Sequence, residues 1–100
     1  MRIRWRVLAL NDLLEMVTYI AEDNPVAAFD VNDEIYRQVE LLVTHPNIGR
    51  HGRIKGTKEL VISNLPYVLP YRIVSGSIEI IRVYHTARQW PKSMKALKNK

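Results

Sequence analysis

Two stretches of helix-period apolar residues meet at Asn24-Pro25, and no other feature restricts the fold of this chain more. Before the junction, Leu10, Leu13, Leu14, Val17, Ile20 and Ala21 recur at helical spacing, which predicts an amphipathic helix from about Ala9 to Asp23. After it, Ala28, Val31, Ile35, Val39 and Leu42 mark the inward stripe of a second helix. Asn24 suits the N-cap, where its side chain accepts from a free backbone N–H, and Pro25 suits the first helical position, where no N–H is needed. The second helix is expected to stop near Thr44, because Pro46 disfavours helical geometry at His45. So short a link implies an antiparallel helix hairpin.

The flanking segments follow a different period. Met1, Ile3 and Trp5 alternate with Arg2, Arg4 and Arg6, the pattern of a half-buried strand whose arginines face solvent or an anion. Beyond the helices, His45 to Gly56 reads as a basic loop, with Gly49, Gly52 and Gly56 expected to serve turns that need positive φ. Strands are then predicted over Glu59–Ser63, Tyr67–Val74 and Ser77–Tyr84, with turns at Asn64–Pro66 and Ser75-Gly76. Pro70 signals a sheet edge or a bulge, and the last strand is apolar on nearly both faces. The expected order is β-α-α-β-β-β. It defines an α+β fold, an antiparallel sheet with the N-terminal helix hairpin packed on one face.

At 100 residues the chain makes one domain, expected over residues 1–91, followed by a basic tail over residues 92–100. The absence of Cys excludes disulfides, a thiolate nucleophile and Cys-ligated zinc. No apolar run approaches a membrane span, and no apolar core follows the basic start as in a signal peptide. A cytoplasmic protein with no membrane partner is the expectation. Phosphate loops, nucleophile elbows and zinc-binding spacings are missing, so neither a cofactor nor a metal is expected.

Charge is divided unevenly along the chain. Residues 1–44 carry four basic and eight acidic side chains, a net of −4, while residues 45–100 carry eleven and two, a net of +9, which together make +5. A half that basic fits a polyanion or an acidic protein partner. It contains Arg50, Arg53, Lys55, Lys58, Arg72, Arg82, His85 and Arg88. Arg72 and Arg82 fall on neighbouring predicted strands, where facing side chains approach to about 5 Å and would need an anion between them. Alternatively, Arg72 pairs with Glu79. His85, beside arginines, has the chemistry of a general acid or base in phosphodiester cleavage, with arginine stabilising the developing charge. Equally, it ends a strand by bonding the backbone. Tyr67, Tyr71, Tyr84 and Trp90 are interleaved with these cations, as suits base stacking, a protein interface or an ordinary strand surface.

Four segments in order resemble the RelE/ParE superfamily of toxins. They are Ala9-x-x-Asp12-Leu13 with Tyr19-Ile20-Ala21, the run from His45-Pro46 through Gly49-Arg50-x-Gly52-Arg53 to Glu59-Leu60-Val61, Pro66-Tyr67-x-x-x-Tyr71-Arg72, and Val83-x-His85-x-Ala87-Arg88-x-Trp90-Pro91. The resemblance implies the toxin half of a bacterial type II toxin–antitoxin pair. Its partner would be a cognate antitoxin that wraps the toxin, and operator DNA would be reached only through that antitoxin. Two activities occur in the superfamily. RelE-like members cleave messenger RNA on the ribosome, which would assign catalysis to His85, Arg72 and Arg88. ParE-like members poison DNA gyrase and are not nucleases. An Arg commonly follows the first Tyr of the third-strand motif in RelE-like members, whereas Val68 follows Tyr67 here. That departure places the chain closer to ParE-like members. Arg53, Arg72, Arg82, Arg88 and Trp90 are then expected to bind antitoxin or target. An inactive antitoxin-binding or co-repressor module is the third alternative.

Overall fold

In the computed structural model, which describes residues 1–87, the order is β1 (Arg2–Trp5), α1 (Val7–Asp23), α2 (Pro25–Glu40), a 3₁₀ turn (Leu41–Val43), β2 (Arg50–His51), β3 (Lys58–Val61), β4 (Tyr67–Val74), β5 (Ser77–Ile80) and β6 (Tyr84–His85). The hairpin breaks where expected. Asn24 Oδ1 accepts from the Ala27 N–H at 3.0 Å, and Pro25 opens α2. Ala28, Ile35, Val39 and Leu42 are buried.

On α1 the inward face is turned from the predicted stripe. Ala9, Leu13 and Met16 are buried, whereas Leu10 is 42 % and Leu14 65 % exposed. Ala9, fully buried, has only a methyl group and lets the helix approach its neighbours closely. Choosing the largest apolar residues therefore selected part of the outer face.

The sheet runs β1-β5-β4-β3-β2. The strands from β2 onward pair antiparallel, as predicted, but β1 joins β5 in parallel, so the sheet is mixed. The antiparallel expectation missed this because the direction of β1 is set by the helix hairpin crossing the sheet, not by any local pattern. Strand β2 lies inside the expected loop, since two residues carry no period.

The predicted strand Ser77–Tyr84 is interrupted. Ile80 stands opposite Tyr71, yet Tyr84 stands opposite Val68, so the strand beside β4 gains one residue between β5 and β6. That is a β-bulge. It lies beside Pro70, whose carbonyl accepts from Ile81 N–H at 2.9 Å but which has no N–H to return. Of the two meanings of Pro70, the bulge is the one realised, for β4 is a central strand. The bulge also explains why Ile80 and Val83, three positions apart, both reach the core.

At the β4–β5 turn, Ser75 and Gly76 both take positive φ (46° and 77°), as a tight two-residue hairpin needs. One core fills the space between hairpin and sheet, joining Ala9, Leu13, Ile35 and Val39 to Leu60, Leu69, Tyr71, Ile78 and Ile80. Buried Gln38 fastens α2 to the sheet, donating to Ser63 O at 3.1 Å and accepting from Ser63 N–H at 2.8 Å.

Candidate functional site

Strand alternation divides the sheet side chains between two faces. Ile3, Trp5, Leu60, Leu69, Tyr71, Ile78 and Ile80 point to the helices. The opposite face takes Arg2, Arg4 and Arg6 from β1 and its end, Glu79 from β5, Arg72 from β4, and Arg50 with Glu59 from β2 and β3.

Arg72 and Arg82 do not face each other. The bulge moves Arg82 out of the ladder, and the residue opposite Arg72 is Glu79. Arg72 Nε donates to Glu79 Oε1 at 2.7 Å, and Arg6 Nη2 donates to the same oxygen at 3.1 Å. Arg4, exposed, stands opposite Glu79 in the parallel ladder. The Arg72 hydrogen bond, aided by Arg6, holds the Glu79 carboxyl below its usual range.

Arg82 instead grips α1. Its Nε donates to Asp12 Oδ2 at 2.8 Å and its Nη2 to Asp12 Oδ1 at 3.0 Å, while Val83 N–H donates to Oδ2 at 3.0 Å. The backbone donor released by the bulge is thereby satisfied. The Asp12 hydrogen bond raises the Arg82 pKa further, so the cation is permanent. Arg82 also lies over the Tyr84 ring, 5.2 Å from its centroid.

The basic loop is anchored from below. Tyr71, fully buried, accepts from Gly49 N–H at 2.9 Å and donates to Pro46 O at 2.8 Å. Burial pushes its phenol pKa up. Buried Glu59 accepts from Arg50 Nε at 3.0 Å and from Arg53 N–H at 3.1 Å. Gly49 is required by proximity, because a Cβ there would lie 2.6 Å from the Tyr71 ring. Gly49 therefore does not serve the positive-φ turn expected of it, while Gly56, at φ 84°, does. Tyr71 and Tyr67, both buried, are withdrawn from the base-stacking role that interleaving allowed.

His85 sits at the other end of β4. Its Nδ1 accepts from Ala87 N–H at 3.1 Å, and its ring meets Tyr67 edge-on with centroids 5.3 Å apart. Tyr67, opposite His85, and Arg72 are five positions apart on β4, roughly 16 Å along the strand and on opposite faces. The structure does not bring His85 and Arg72 together. Arg53 lies in the anchored loop, and Arg88 and Trp90 lie outside the described residues, as does the basic tail.

Sequence reasoning missed a further surface. Leu14, Val26 and Phe29, on the two helices of the hairpin, are 65 %, 69 % and 71 % exposed. Val26 and Phe29 are apolar positions left over from the second helix's stripe, whereas Leu14 belongs to the stripe expected to face inward.

A helix hairpin laid on a mixed sheet, with a clasped bulge and arginines across the sheet's outer face, defines a small α+β protein. The family described as ParE toxin of type II toxin-antitoxin system, parDE, matches residues 3–90. The chain belongs to this ParE toxin family, within the RelE/ParE superfamily. It is 48 % identical over 90 residues to a Sinorhizobium fredii protein called toxin Y4kP, covering 90 % of this chain and 93 % of that one. Toxin RelE2 of Caulobacter vibrioides is 32 % identical over 84 residues, covering 84 % and 93 %. A solved chain of the chromosomal ParDE TA system from P. aeruginosa superposes with a TM-score of 0.78 at 25 % identity, over 85 % of this chain and 95 % of that one.

Proposed function

We propose that this type II toxin arrests bacterial growth by poisoning DNA gyrase in the cytoplasm and is neutralised by a cognate antitoxin. The observation that carries gyrase over messenger RNA is the separation of His85 from Arg72. RNA cleavage needs groups that remove the 2′-hydroxyl proton, protonate the leaving oxygen and stabilise the phosphate charge at one point. His85 turns its Nδ1 to its own backbone, and Arg72 stands on the far face of the sheet, which speaks against these two acting on one phosphate. Antitoxin contact is assigned to the exposed apolar side of the hairpin, Leu14, Val26 and Phe29, together with Arg72 and Arg53 at the basic sheet and loop. Arg82, committed to Asp12, is a positioning residue.

The test is expression without and with the neighbouring antitoxin. Growth arrest, induction of the DNA-damage response and gyrase trapped on cleaved DNA are expected, all relieved by the antitoxin. His85→Ala is expected to keep its toxicity. Codon-specific cleavage of ribosome-bound messenger RNA, lost on His85→Ala, would replace gyrase with the ribosome. Normal growth with folded protein accumulating would leave only an antitoxin-binding module.

A further inference from the structure

The two layers of the molecule carry opposite charge. Residues 7–44, the helix layer, hold eight carboxylates and Arg37, a net of −7. Among the other described residues, 1–6 contribute +3 and 45–87 contribute six cations against Glu59 and Glu79, a net of +4, so the sheet and its loop total +7. Both carboxylates on the basic side are already engaged by arginine, Glu79 by Arg72 and Arg6 and Glu59 by Arg50. The arginines nonetheless present much of their surface to solvent, with Arg72 at 43 % and Arg50 at 56 % side-chain exposure and Arg2 and Arg4 exposed on the edge strand.

We propose that this outer sheet face is a docking surface for the phosphate backbone of duplex DNA. Arg2 and Arg4 form one bank on β1. Arg72 forms a second bank two strands away, roughly 10 Å across, and Arg50 lies beyond it near the loop. Every one of these cations is an arginine, whose fixed fork of N–H donors engages phosphate oxygens in pairs. Bonds to Glu79 and Glu59 hold two of the guanidiniums in place before a ligand arrives, which lowers the ordering cost of binding. The acidic helix layer turns away from a polyanion, so only this face meets it. The choice of duplex DNA rests on gyrase as the target, since its substrate is a duplex. Arginine aimed at phosphate rather than base edges makes the contact independent of sequence.

The experiment measures binding of the full chain, made by cell-free synthesis, to a labelled random-sequence DNA duplex across a salt series. With Arg2, Arg4, Arg50 and Arg72 each neutralising one phosphate, the log–log slope is expected near about −3.6, so affinity falls on the order of 100-fold between 50 and 200 mM salt. Arg4→Glu should weaken binding and bring the slope to about −2.7. Arg37→Glu makes the same change of net charge on the helix layer and should leave the slope unaltered. No duplex binding at 50 mM salt, or equal losses from Arg4→Glu and Arg37→Glu, would overturn the proposal. Gyrase supercoiling is assayed in parallel. Duplex binding without gyrase inhibition removes gyrase as the target and leaves the DNA-binding face standing. Gyrase inhibition without duplex binding does the reverse.

Discussion

Replacing Asp12 with Ala removes one carboxylate and strands three donors. Arg82 Nε and Nη2 lose their acceptors at 2.8 and 3.0 Å, and the bulge N–H of Val83 loses its own at 3.0 Å. Both side chains of the pair are largely enclosed, at 18 % and 16 % exposure. Removing one partner of a fully buried pair costs about 3–5 kcal/mol. Partial access to water reduces that, and about 2–3 kcal/mol is expected here. A domain of this size typically holds roughly 5–15 kcal/mol, so the loss should be plain in a urea titration. At about 4–8 °C per kcal/mol, the melting temperature should fall by on the order of 10–20 °C. Asp12→Asn keeps an acceptor for Val83 and should cost about half as much. A double-mutant cycle with Arg82→Met should return a coupling of at least about 1 kcal/mol. If Asp12→Ala shifts stability by less than about 0.5 kcal/mol, as an ordinary surface change does, the clasp does not secure α1 to the bulge.

Tyr71→Phe should cost about 1–3 kcal/mol by leaving Gly49 N–H and Pro46 O without the phenol, with faster proteolysis of the loop as the local readout. Gly49→Ala should be harmful too, since its Cβ meets the Tyr71 ring, and pairing it with Tyr71→Phe should recover part of the loss because the phenol oxygen is one of the clashing atoms. Glu79 has a folded-state pKa below its ordinary 4.5, so its stabilising contribution is full above that value and is lost as pH falls through the folded pKa; Glu79→Gln should flatten the acid limb of a stability–pH curve. Phe29→Ser should leave thermal stability within about 0.5 kcal/mol of the parent while weakening antitoxin binding in calorimetry.

Much of the fold was legible where local chemistry decides. Asn24-Pro25 specified the hairpin break through its own side chain and ring, and Ser75-Gly76 specified the turn through backbone conformation. What escaped depends on partners distant in sequence. The register shift after Ile80 reflects Pro70 across the sheet, and no period within Ser77–Tyr84 records it. Asp12 was visible as part of a motif, yet its task became apparent only with Arg82, 70 positions later, in contact. The site was legible as a set of cations and illegible as an arrangement. Composition counts arginines equally, whereas the strands separate those held by Glu79 from the one withdrawn to α1.

The parallel pairing of β1 with β5 has a consequence in time. Arg2 meets Ser77 and Trp5 meets Ile80, so β1 waits for a strand made 75 positions later. At roughly 5–20 residues per second, the intervening 75 positions take on the order of 4–15 s to synthesise. Through that interval the helix hairpin can form from neighbouring residues, while Arg2–Trp5 has no ladder to join. A chain that ends before Ser77 therefore carries β1 arginines that are not yet arrayed. The line of Arg4, Glu79 and Arg72 across the sheet comes into being only once Ser77–Ile80 has been made.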